Sequence, residues 1–176
     1  MSELVAARWW YVPPHVCGDP LWIEDDADGW PIRQVERRGE RLWLSSWPGG
    51  TLGDQPLLAD QAAELQARGE LCERTASAFE RAWRAGLEER RDAWSAARAH
   101  APTGSTVEVC DGVFYPHGVV VTLADLGFAG LIAEPDYRRA FAARLADQAP
   151  YVPTWAQRAV IAGADDRMQW FRLALP

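Results

Sequence analysis

Lysine is absent from this chain, and every one of its 18 basic residues is Arg. They are outnumbered by 25 acidic residues, leaving a formal charge of −7. An acidic chain repels nucleic acid at long range and attracts basic partners. Cysteine is also scarce: Cys17, Cys72 and Cys110 are an odd count, far apart, with no Cys-x-x-Cys pair. That pattern predicts free thiols in a reducing compartment rather than a disulfide scaffold. No run approaches the roughly 20 apolar residues needed to span a bilayer. Near the N-terminus no long apolar run is followed by a small-residue cleavage site, so the expected location is cytoplasmic, with no membrane partner.

Motifs that would announce an enzyme are missing as well. The loop PGGTLG, Pro48 to Gly53, lacks the Lys-Ser/Thr ending of a phosphate cradle. His15 and Cys17, taken with Cys72 or Cys110, lack the paired knuckles of a zinc site. Cys110 and His117 lack the third, orienting residue of a nucleophile–base arrangement. No catalytic residue, metal or cofactor is expected.

What the chain does have is bulk. Ten Trp in 176 residues, within 48% apolar content, let even two small domains form real cores, since each large ring buries roughly 150–250 Å². Short aromatic and β-branched runs separated by turns predict strands at residues 4–12, 21–24, 32–37 and 41–47, with Trp43 and Trp47 on one face of the last. Asp60 is read as the cap of a helix that Gly69 ends, and Ser77 with Glu80 as the capping box of a second helix running to about Arg98. On that helix, arginines at 81, 84, 90, 91 and 98 alternate with acids, the pattern of a solvated face. HAPTGS, residues 100–105, reads as a linker. Beyond it come five strands with a helix between the third and fourth, the order of an OB barrel. The expected fold is an α+β module at 1–99, with an antiparallel sheet and helices, followed by an all-β five-stranded barrel at 106–176.

The acidic stretch LWIEDDADGWPIRQVE, Leu21 to Glu36, raises the question of a metal. Glu24 to Gly29 mimics the first half of a calcium loop, but Val35 stands where the bidentate Glu is required. A β-hairpin with an Asp-Gly turn and solvated acids is the simpler reading. Exposed acids on a hairpin tip can still grip a basic partner, which makes Glu24, Asp25, Asp26, Asp28 and Trp30 the candidate contacts.

Both halves resemble known families. ARWWYV, IEDDADGWPIRQVE, RRGERL, TLGDQPLL and SAFERAW, across residues 4–84, resemble a family of small bacterial proteins without an assigned activity; this implies an α+β module. From Gly104 onward, GSTVEVCDGVFYPHGVVVTLAD, GLIAEPDY and YVPTWAQRAVIAGADDRMQWFRLAL resemble the OB-fold RNA-binding domain repeated in ribosomal protein S-one. The resemblance implies base-stacking aromatics on the second strand and a His after the third. Those places hold His117, Val120 and Ala133. Stacking is worth about 1–3 kcal/mol per base, so the expected RNA site is weakened.

The sequence thus predicts a non-enzymatic binding protein that recognises another, basic protein, in the manner of an immunity protein or antitoxin. The alternative is single-stranded RNA binding through Phe114, Tyr115, His117, Arg167 and Arg172.

Overall fold

The computed structural model describes residues 7–50, 52–53, 55–115, 118–139 and 157–175. The chain forms two compact units, Met1–Ser45 with Gly49–Arg90, and Ser46–Pro48 with Arg91–Pro176.

The first unit contains β1 (Arg8–Val12), α1 (Pro14–Cys17), β2 (Leu21–Asp25), β3 (Pro31–Arg38), β4 (Arg41–Leu44), α2 (Ala59–Ala67), β5 (Cys72–Arg74) and α3 (Ala76–Glu89). Its five strands form one sheet in the order β4-β3-β2-β1-β5, antiparallel at every junction. Alternate residues point to opposite faces, so the paired Trp9, Glu24 and Arg33 share one face, and Trp10, Ile23 and Gln34 share the other. Trp10 packs on the second face with Ala62, Leu71, Val12, Ile23, Leu57 and Leu65, two of them from α2. On the first face α3 presents Phe79 and Trp83, both fully buried, each contributing roughly 1.5–3 kcal/mol by removal from water.

Several local expectations are corrected. The helix expected from Ser77 to about Arg98 is two helices, because Arg90 leaves helical geometry at φ −121°, ψ 13°. α3 is capped by Thr75, whose hydroxyl accepts from the Ala78 N–H at 3.3 Å, not by Ser77. Thr75 holds extended φ/ψ while its oxygen reaches the third residue of the helix, as an N-cap must. α2 begins after Leu58, with Asp60 inside its first turn. β4 ends at Leu44, so Trp47, which is buried, lies beyond the strand that was expected to carry it. Pro14–Cys17 is one short helical turn opened by proline.

The second unit contains α4 (Arg91–His100), β6 (Thr106–Tyr115), β7 (Gly118–Leu123), β8 (Phe128–Ala133), β9 (Gln157–Asp165) and β10 (Trp170–Ala174). Residues 134–139 are helical, at the start of the helix expected after the third barrel strand; the rest of that expected helix lies outside the described residues. The strands close into a barrel in the order β10-β8-β7-β6-β9. β10 runs parallel to β8 and antiparallel to β9. A closed five-stranded barrel is compatible with the OB-type fold expected from sequence. Its core includes Val109, Val119, Val121, Phe128, Ile132, Ile161 and Phe171, and α4 adds Trp94 and Ala97 to it. The Trp94 ring centroid lies 5.1 Å from that of Phe128 and 4.8 Å from that of Phe171. The Trp94 indole N–H then donates to Asp166 at 2.8 Å, and Arg98 reaches the same carboxylate at 2.6 Å. Both arms of α4 therefore grip the β9–β10 turn.

Candidate binding surfaces

The acidic stretch forms the β2–β3 hairpin. Asp26 Oδ1 accepts the backbone N–H groups of Asp28 (3.0 Å) and Trp30 (2.9 Å), and the Asp26 N–H donates to the Trp30 carbonyl. The carboxylate that a calcium loop would aim at an ion is thus closing its own turn. Among the described residues, no group of three His, Cys, Asp or Glu side chains converges as a metal site would require. Gly29 has φ +84°, and its carbonyl accepts from the Leu57 N–H at 2.9 Å. A Cβ on Gly29 would sit 2.5 Å from the Leu57 carbonyl oxygen. The tip is pinned against the segment that enters α2.

Glu24 and Asp25, expected to be solvated, are buried at 7% and 2% exposure. They point to opposite faces of the sheet. Glu24 accepts from the Trp9 indole at 3.1 Å and from Arg33. Arg33 also donates to Glu80 on α3, and its guanidinium carbon lies 4.9 Å and 5.1 Å from the Phe79 and Trp83 ring centroids. One arginine therefore neutralises two acids from separate elements while stacking on the core. On the other face, Asp25 accepts from the Trp10 indole at 2.7 Å. Burial pushes the Asp25 carboxyl up to about 6, against the lowering effect of that hydrogen bond. Desolvation disfavours the charged form, and Asp26 and Glu24 add to the effect while Arg8 opposes it.

Of the five hairpin residues, Asp28 is exposed, Asp26 and Trp30 are half-buried, and Glu24 and Asp25 face inward. Sequence alone did not place Arg33, Trp9, Trp10 or Glu80 at the hairpin, Glu80 being expected only as half of a capping box. A signal for Arg33 was present: a hairpin centred on Asp28-Gly29 places Glu24 opposite Arg33, as observed.

On the barrel, strand register places the residues that the sequence resemblance singled out. Val120 lies opposite Leu131, and Leu131 opposite Arg172, which in turn pairs with Gly163. Val120 and Leu131 are half-buried, while Arg172 is exposed. The Arg172 guanidinium lies across Gly163, where a Cβ would sit 2.8 Å from its terminal nitrogen. The row is aliphatic and small except for one cation. Ala133 pairs with Gly118 at the next position along the face. Phe114 and Tyr115 are placed by their backbone on β6, opposite Val119 and Gly118; their side chains, and His117 entirely, lie outside the described residues. Arg167 sits in the β9–β10 turn, where its N–H donates to Asp165 at 2.9 Å.

The thiols do not come together as a site. Cys17 is exposed and donates to the Asp19 carbonyl at 2.8 Å, Cys110 lies 3.7 Å from the Thr122 carbonyl, and all three cysteines are free. Of the arginines expected along one helix face, Arg81 and Arg84 lie on α3, Arg90 at the break, and Arg91 and Arg98 on α4, where Arg98 is committed to Asp166. Comparison with protein-family models, with curated proteins and with solved structures finds no match.

Proposed function

We propose that the chain is a non-enzymatic binding protein whose second unit is an OB barrel of the S-one type, adapted to a polypeptide instead of single-stranded RNA. The observation that carries this reading is the row Val120–Leu131–Arg172–Gly163 on the barrel's outer face. Flat rings are what a sequence-tolerant single-strand site needs, and this row offers branched aliphatics. Half-buried Val and Leu beside an arginine are a chemistry that partner side chains can pack against. The net charge of −7 adds long-range repulsion of a polyanion and attraction for a basic partner. An immunity- or antitoxin-type role is the form of this reading that fits charge and size together. On the hairpin, the contribution to such a partner narrows to Asp28, with Asp26 and Trp30 beside it.

A photo-crosslinking amino acid at position 131, in the full chain expressed in its source cell, tests the proposal. Discrete protein adducts that survive ribonuclease are expected. Adducts that are RNA, and disappear on ribonuclease treatment, would replace this reading with the RNA-binding one, for which Arg172 on the same face is the supporting feature.

A further inference from the structure

A second surface, in the first unit, joins two aromatic rings to two arginines. Tyr11 on β1 and Trp22 on β2 are direct cross-strand partners with ring centroids 5.3 Å apart. Arg74, on the neighbouring β5, places its guanidinium carbon 5.1 Å from the Tyr11 ring, and Arg37, on β3, lies 5.9 Å from the Trp22 ring. The four residues form a row, cation–ring–ring–cation, across four adjacent strands of one sheet face. Both rings are half-buried and both arginines exposed.

The arginines of this row differ from the others stacked on rings in the same unit. Arg33 is paired with Glu24 and Glu80, and Arg38 with Glu36. Among the described residues, neither Arg37 nor Arg74 has a carboxylate partner, in a chain whose acids outnumber its bases. A guanidinium held over an aromatic face keeps its N–H fork directed and pre-organised for an oxyanion. Tyr, Trp and Arg are also the residue types that dominate the energetics of protein interfaces.

We propose that this row is a docking surface for an acidic, extended segment of a partner protein, with the two guanidiniums each taking a carboxylate. The spacing fits such an occupant. Arg74 pairs with Trp9, two residues short of Tyr11, and Arg37 lies two residues past Val35, the partner of Trp22. Three inter-strand steps combined with this four-residue offset put the two Cα positions roughly 19 Å apart, about the span of six residues in an extended peptide, an even spacing that keeps both side chains on one side. A nucleic-acid strand suits the row less well, because the ring faces that bases would stack on already carry guanidiniums. The surface shares no residue with the barrel face, so either proposal can fail alone.

The test is anisotropy of a fluorescein-labelled oligo-glutamate, its oligo-glutamine counterpart and an oligouridylate, each titrated with the full chain. Saturable, salt-sensitive binding of oligo-glutamate is expected, with none for oligo-glutamine. Arg37→Gln with Arg74→Gln should weaken it by about tenfold or more, as two charge-assisted contacts are lost. The Lys pair should recover only part of that loss, since an ammonium lacks the planar fork. Because both side chains are exposed, circular dichroism of the variants should match the parent. No saturable oligo-glutamate binding, binding unchanged in the Gln pair, or tighter oligouridylate binding through the same two arginines would each overturn the proposal.

Discussion

Trp10 donates its indole N–H to the Asp25 carboxylate at 2.7 Å, on the sheet face that packs toward α2. The contact holds a titratable group in a site that resists its charge. In the folded chain Asp25 titrates at about 6, above the 3.8 of a free carboxyl. A raised carboxyl pKa means that the folded state binds the proton more tightly than the unfolded one. The associated stability is therefore full below about pH 4 and lost as pH rises through 6.

The variant Asp25→Asn removes this titration while keeping an oxygen for Trp10. The stability of Asp25→Asn relative to the parent, from urea denaturation, should rise between pH 4 and pH 7 by an amount on the order of 2–3 kcal/mol. A difference that does not change with pH would contradict the assignment. The difference between the two proteins, rather than either curve, is the quantity to read, since Glu24, Asp26 and Arg8 lie close by.

Arg33 holds two carboxylates and stacks on two rings. Replacing it with Met leaves Glu24 buried with only the Trp9 indole for company. Breaking one side of such a network costs about 3–5 kcal/mol, and Arg33→Lys should also be costly because one ammonium cannot match both acids and stack on Phe79. Adding Glu24→Gln to Arg33→Met should restore part of the loss, measured as the coupling in a double-mutant cycle.

Gly29 has two independent reasons to be glycine, a positive φ and a close approach to the Leu57 carbonyl. Gly29→Ala should therefore destabilise the first unit by about 2 kcal/mol or more, since a strained φ costs roughly 1–2 kcal/mol before any clash. Gly39→Ala, with φ +62° but open space around it, should carry the φ cost alone. Denaturation midpoints of the two variants separate the contributions.

Trp94 tests whether α4 is part of the barrel's stability. Trp94→Ala should cost about 3–5 kcal/mol as a large-to-small core change. Trp94→Phe, which keeps the packing on Phe128 and Phe171 but loses the donor to Asp166, should cost nearer 1–2 kcal/mol. Equal losses for the two would place the energy in the hydrogen bond instead of the packing.

How much of this was legible in the sequence depended on whether the signal was local. β6 and β7 begin and end where their β-branched runs do, at Thr106–Tyr115 and Gly118–Leu123. Turn chemistry placed the β2–β3 hairpin, because an Asp-Gly pair between two apolar runs has one common use. Burial of Glu24 was not legible, since that sheet face is covered by α3, whose Glu80 shares Arg33 with Glu24 and lies 47 residues beyond that arginine. The break at Arg90 was hidden as well. Glu88, Glu89 and Arg91 beside it are good helix formers, while Trp94 beyond the break is buried in the barrel core and Phe79 and Trp83 before it are buried in the sheet unit. The row from Arg74 to Arg37 joins four strands whose order, β5-β1-β2-β3, could not be read from sequence order.

On the proposed reading, the barrel's outer face offers aliphatic contact where single-strand binders offer flat rings. Titrating labelled oligouridylate with the full chain, at about 50 and 200 mM salt, tests it most directly. The account predicts no saturable binding at either salt concentration. Micromolar or tighter binding that weakens steeply with salt, and is lost in Arg172→Ala, would contradict it.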